Sequence, residues 1–124
     1  MHKSRLACLV IDSRTEALME AAYFWGQALG YEIAETDGRY VCLQTPADQP
    51  QVLLQRVDHP SRVHLDIETD DIDAEVARME GLGARVVERL AEWVVMQAPS
   101  GQRFCIVEPQ RADFADADNV NVWR

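Results

Sequence analysis

Leu29-Gly30, Tyr40-Val41-Cys42-Leu43-Gln44 and Pro46 return 53 positions later as Leu82-Gly83, Trp93-Val94-Val95-Met96-Gln97 and Pro99. One offset shared by a helix end and a strand with its following turn marks an internal duplication. Each Leu-Gly pair closes an apolar stripe at helical spacing. Leu18, Ala21, Ala22, Trp25, Ala28 and Leu29 precede Gly30, and Ile72, Val76, Met79 and Leu82 precede Gly83. Glycine there suits a left-handed C-terminal cap. The spacing therefore predicts one helix in each half.

Working outward, an apolar run over residues 6–11 precedes the first helix and a similar run over 63–68 precedes the second. These runs align at an offset of 56, pairing Cys8 with His64, Leu9 with Leu65, Ile11 with Ile67 and Asp12 with Glu68. Ser13-Arg14-Thr15-Glu16 has the form of a capping box and predicts that the first helix starts there. Asp70 and Asp71 offer caps for the second. Strand-like runs then follow at 31–35, 40–44 and 52–57, the first two joined by the hairpin signal Asp37-Gly38. The second half answers with 84–88, 93–97 and 104–108. Each half reads βαβββ, and a sheet with one helix has its other face left to bury. The expected class is α+β: two tandem βαβββ units forming a paired, partly closed mixed sheet around a shared concavity. The expected domain is 1–111, with unit one at 5–58 and unit two at 62–109. The acidic tail 112–124 reads either as disordered or as a segment whose Val120-Asn121-Val122-Trp123 docks on a sheet edge or covers a cavity mouth.

With 124 residues and 48% apolar side chains, the chain can build a core of its own. Its net charge of −9 would repel nucleic-acid phosphates and anionic membranes, so neither is an expected partner. No apolar run reaches the length of a membrane span, and the run at 6–11 is cut off by Asp12 before it resembles an export signal. Three separated cysteines, Cys8, Cys42 and Cys105, suit reduced thiols and a cytoplasmic setting better than a disulfide framework.

Phe24-Trp25-Gly26-Gln27-Ala28-Leu29-Gly30-Tyr31, Leu54-Gln55-Arg56-Val57, Arg62-Val63-His64-Leu65-Asp66-Ile67 and the stretch from Trp93 to Cys105 together resemble the vicinal-oxygen-chelate superfamily, in its glyoxalase-like branch. The resemblance spans the chain up to Pro109. It implies a small-molecule ligand and a homodimer in which units pair within or between chains. It also implies metal-ligand positions on the first and last strand of each unit, here Cys8, Gln55, His64 and Cys105. The segment that ends in a glutamate in metal-using relatives reads Ala98-Pro99-Ser100-Gly101-Gln102-Arg103-Phe104-Cys105, so the usual carboxylates are missing. Hard divalent ions prefer oxygen donors, and a glyoxalase-type isomerase needs a carboxylate to move a proton. Ordinary glyoxalase I chemistry is therefore not expected. No cofactor is expected; the alternative is Zn²⁺ at Cys8, His64 and Cys105.

The expected ligand cavity is lined by Cys8, Tyr40, Gln55, His64, Asp66, Trp93 and Cys105. Each cysteine reads first as core packing and only second as a ligand, Tyr40 and Trp93 as core or cleft wall, and Phe24 and Trp25 as helix side chains in the core on the convex face of the first sheet. His64 shares a strand face with Asp66 and Glu68, which makes these three the acid–base candidates if the protein is catalytic. The function this implies is small-molecule binding of the bleomycin-resistance type, a metal-free family of binders of a cationic drug. The alternative is a lyase or isomerase using the same cavity.

Overall fold

The computed structural model describes residues 1–124, with 11 regular elements: β1 (His2–Ser13), α1 (Leu18–Leu29), β2 (Ile33–Thr36), β3 (Tyr40–Leu43), β4 (Gln51–Arg56), β5 (Arg62–Thr69), α2 (Ile72–Gly81), β6 (Arg85–Arg89), β7 (Trp93–Gln97), β8 (Arg103–Val107) and β9 (Asn121–Trp123). Two compact units emerge, one of Cys8–His64 and one of Met1–Ala7 with Leu65–Arg124. Residues 1–7, the start of β1, thus belong with the second repeat.

In the first unit β1 runs parallel to β4, and β4, β3 and β2 follow as antiparallel neighbours. In the second, β5 runs parallel to β8, followed by β7 and β6 antiparallel. The same path twice is the duplication seen as geometry. Leu18 and Ala22 of α1 pack on Val41, Leu43, Val52 and Leu54 to form the first core. Val76 and Met79 of α2 pack on Val94, Met96 and Ile106 to form the second. Burying each valine, leucine, isoleucine or methionine among them contributes about 1.5–3 kcal/mol. Gly26 lets α1 approach the following turn, since a Cβ there would lie 2.7 Å from the Tyr31 carbonyl oxygen.

Three expectations change. The capping box at Ser13 does not form: Ser13 ends β1 in register with Arg56, and its carbonyl accepts from Thr15 and Val57 N–H. Pairing with β4 outweighs the local helix signal, and α1 starts at Leu18 with no side-chain cap. Phe24, read as core, is 60% exposed and stands edge-on to Trp25 at 5.1 Å between ring centroids. Of the apolar stripe of α1, Leu18 and Ala22 are buried beside Gly26, Ala21 and Trp25 pack on the same core only partly buried, and Leu29 is exposed. Asp71 caps α2 through Ala74 N–H as expected, while Asp70 accepts from Lys3 N–H instead.

The tail takes its docked form. β9 pairs antiparallel with the start of β1, His2 opposite Trp123 and Ser4 opposite Asn121. Trp123 Nε1 donates to Ser4 Oγ at 2.8 Å, and the Arg78 guanidinium lies 3.8 Å from the indole centroid. Arg5, almost wholly buried, donates to Glu68 (2.6 Å), Asn119 (2.5 Å) and Asp113 (2.6 Å) and sits over the Phe114 ring. Desolvation of Arg5 is outweighed by those carboxylates, so its pKa is raised, and the bond from Arg5 lowers that of Asp113. No helix is long and apolar enough to cross a membrane.

Candidate functional site

Strand alternation assigns the chemistry-bearing residues to the sheet faces that the helices leave uncovered. In the first unit Val41, Leu43, Val52 and Leu54 face α1, so Tyr40, Cys42, Gln51, Leu53 and Gln55 face the other way. Leu9 and Ile11 join the helix-side core, which turns Cys8, Val10 and Asp12 to the same uncovered face. Register aligns Tyr40, Gln55 and Asp12 in one row across β3, β4 and β1. Gln55 Nε2 donates to the Tyr40 hydroxyl at 3.3 Å. In the next rows Cys42, Leu53 and Val10 align, and Cys8 stands opposite Gln51.

Asp12 anchors this face. It is 2% exposed, and its Oδ2 lies 2.7 Å from His64 Nδ1. His59 Nε2 and Arg62 Nε approach the same oxygen at 3.9 Å, too long for hydrogen bonds but close enough for electrostatic support. Asp12 Oδ1 is sealed from solvent without a hydrogen-bond partner. A buried carboxylate costs free energy unless cations hold it, and here three basic side chains surround one oxygen. The short bond fixes the orientation of the His64 ring through Nδ1.

The second unit repeats the layout with other side chains. Asp66, Cys105 and Val95 form one row, and Glu68, Val107 and Trp93 the next. The Asp66 carboxylate and the Cys105 sulfur lie within 4.8 Å of each other. His64, two residues before Asp66 on β5, points to the same side of that strand. Glu68, expected as an acid–base candidate, is fully buried and takes hydrogen bonds from Arg5 and from the backbone N–H groups of Gln110 and Arg111. It holds the tail and is barred from solvent-borne chemistry. Trp93 is 39% exposed at the end of its row.

The structure therefore joins Tyr40 with Gln55, and Asp66 with Cys105. Cys8 is 1% exposed and donates its thiol to Gln51 Oε1 at 3.5 Å, so its amide partner is Gln51 rather than Gln55. Burial, reinforced by Glu35 and Asp37, pushes the Cys42 thiol up, which keeps it protonated at neutral pH and a poor nucleophile or ligand. Asp12 is the residue sequence reasoning passed over: it reads as the end of an apolar run, and its alignment with Glu68 was the available signal.

A hard divalent ion does not fit these donors. Asp12 is closed off, Glu68 is saturated, and the remaining carboxylate, Asp66, stands beside a thiol. Asp66 and Cys105 could serve as oxygen and sulfur ligands of a softer ion of the zinc type.

The model of one family, the glyoxalase-like domain, matches residues 8–107. A search of the curated proteins found no match. Among solved structures, the chain is similar to the Mn(II)-bound glyoxalase from Novosphingobium aromaticivorans, with 18% identity and a TM-score of 0.61 over 87% of this chain and 40% of that one. It is similar to a glyoxalase/bleomycin resistance protein/dioxygenase superfamily member from Vibrio splendidus, with 18% identity and a TM-score of 0.56 over 86% and 99% of the two chains. An extradiol ring-cleaving dioxygenase from B. fuscum matches at 14% identity and a TM-score of 0.61, over 86% of this chain but 32% of its own. The chain thus spans about a third of the dioxygenase, and at these identities the likeness is one of fold.

Proposed function

Because the chain belongs to the glyoxalase-like domain family, we propose that it is a small-molecule binding protein of the glyoxalase-like, bleomycin-resistance type, with His64 as its main recognition group and Asp12 as the residue that positions the ring. The observation that carries this reading is the 2.7 Å bond from a nearly sealed carboxylate to His64 Nδ1. A histidine kept only for packing has no need of a buried anion, whereas one that must meet a ligand in a fixed tautomer and direction does. The polar row of Tyr40 and Gln55 supplies further donors and acceptors on the same face of the first unit. The fold by itself favours no chemistry, since binders, isomerases and dioxygenases share it.

A thermal-shift screen of metabolites and cationic aromatic compounds tests the reading. A ligand at 100 times its Kd raises stability by about 2.7 kcal/mol. The expected outcome is a hit whose stabilisation is lost in His64→Ala. In Asp12→Asn, affinity falls roughly 10-fold to 100-fold, the range of about 1.5–3 kcal/mol for a hydrogen bond to a charged group. A hit unaffected by His64→Ala would place the site elsewhere. One equivalent of zinc in untagged protein, lost in Cys105→Ala, would replace this reading with a metal site.

The same pair favours a second reading, a lyase or isomerase in which His64 exchanges a proton with substrate and Asp12 stabilises the imidazolium. Incubating each hit with protein and following it by NMR separates the two. New signals that vanish in His64→Ala establish turnover, and an unchanged compound establishes binding alone.

A further inference from the structure

Arg39 and Arg56 lie directly opposite each other at the ends of β3 and β4, where Arg56 N–H donates to the Arg39 carbonyl at 2.9 Å. Both are exposed. Like charges facing each other across an antiparallel pair are destabilising. Neither guanidinium has a carboxylate within 4.0 Å, on a chain that carries 21 acidic residues. The turn beside them is rigidly specified. Gly38 has φ +87°, Asp37 Oδ1 accepts the N–H groups of Arg39 and Tyr40, and Arg56 Nη2 donates to the Gly38 carbonyl at 3.1 Å. Asp37, two residues before Arg39, is thereby committed to the backbone, and Asp58, two residues after Arg56, lines the same depression without an ion pair to either guanidinium. With Gly38, Val57 and Asp58, the two arginines line a depression of about 310 Å³.

We infer that this depression is an oxyanion site, in which Arg39 and Arg56 together bind a phosphoryl group, either free phosphate or the phosphate of a small ester. Two forked guanidinium groups match a tetrahedral dianion in charge and in hydrogen-bond geometry, and the anion removes the repulsion between them. The volume is at the lower end for small-molecule pockets, roughly 300 Å³, which suits a phosphate on a short carbon skeleton. Arg39 and Arg56 alternate with Tyr40 and Gln55 along their strands, so the site opens on the other face of the sheet from the His64 row and does not depend on the function proposed above.

The test is a titration of the full chain with inorganic phosphate at constant ionic strength, chloride serving as the control, read by melting temperature and calorimetry. Phosphate is expected to raise the midpoint in a saturable way that chloride does not. Arg39→Gln and Arg56→Gln are expected to bind it at least tenfold more weakly. Without phosphate Arg39→Gln is expected to melt no lower than the wild type, because the repulsion is gone, and His64→Ala is expected to keep the phosphate response. Tighter binding of glycerol phosphate than of phosphate assigns the site to esters, and the reverse order to the free ion. An equal phosphate response in Arg39→Gln and the wild type, or none beyond chloride, overturns the site. Succinate binding as well as phosphate overturns its assignment to a phosphoryl group.

Discussion

Glu75 has no solvent exposure, yet it is a charged group held by several donors. His2 Nε2 and Arg78 Nε meet its Oε1 at 2.8 Å, and Arg78 Nη2 meets Oε2 at 2.9 Å. Burial acts to raise its pKa, but the bonds from Arg78, His2 and Ser4 outweigh burial and hold the carboxyl below its ordinary value of 4.5. A depressed carboxylate stabilises the fold above its unfolded pKa, and that contribution fades as pH falls through the folded value. Urea denaturation at a series of pH values should therefore show a loss below about pH 4.5 that is shallower in Glu75→Gln. At pH 7 the same variant should be less stable by about 1–3 kcal/mol, since it weakens the pairing of buried polar groups. At this scale His64 was legible as a polar residue on an apolar strand. Its partner was not, because Asp12 lies 52 positions away and only the parallel register of β1 and β4, absent from any local pattern, shows which way it points.

Among the elements, β9 is the least expected and the most informative. Its three residues would not form a strand alone, and what holds them is the side chain of Trp123, set between Arg78 and Ser4. Trp123→Ala should cost about 2 kcal/mol, from the cation–π contact and the hydrogen bond. It should also speed amide exchange in β9, whereas Val122→Ala, at a 41% exposed position, should leave both nearly unchanged. Two-state denaturation and hydrogen exchange check this directly. Most of the strands and both helices were readable from periodicity because each buries one face against one partner, whereas β2, exposed at all its residues, was marked by the Asp37-Gly38 hairpin signal. The start of α1 was not, since Ser13 carries a helix-cap signal and a strand position at once, and pairing with Arg56 decides between them. The tail was hard to read for a similar reason. Phe114 and Val120 are buried apolar residues in an acidic segment, a signal too sparse to outweigh composition.

At the scale of the whole molecule, duplication supplied one backbone twice and left the two halves free to diverge. Row for row, Tyr40, Gln55 and Asp12 correspond to Trp93, Val107 and Glu68. Both acids are buried, but one orients an imidazole and the other secures the tail through Arg5. The offset pairing of Asp12 with Glu68 was visible in the sequence, whereas the division of labour between them depends on partners that no repeat encodes. The adjacency of His2 and Trp123 across β1 and β9 has a practical consequence. Paired strands lie about 4.8 Å apart, so a linker of a few residues can splice Arg124 to Met1. New ends can then be opened at the exposed turn of Ser100 and Gly101, which makes the protein a natural subject for circular permutation. Such a rewired chain should regain the wild-type circular dichroism spectrum and near-wild-type stability, and a loss of either would mean that β7 and β8 pair only while the turn between them is closed.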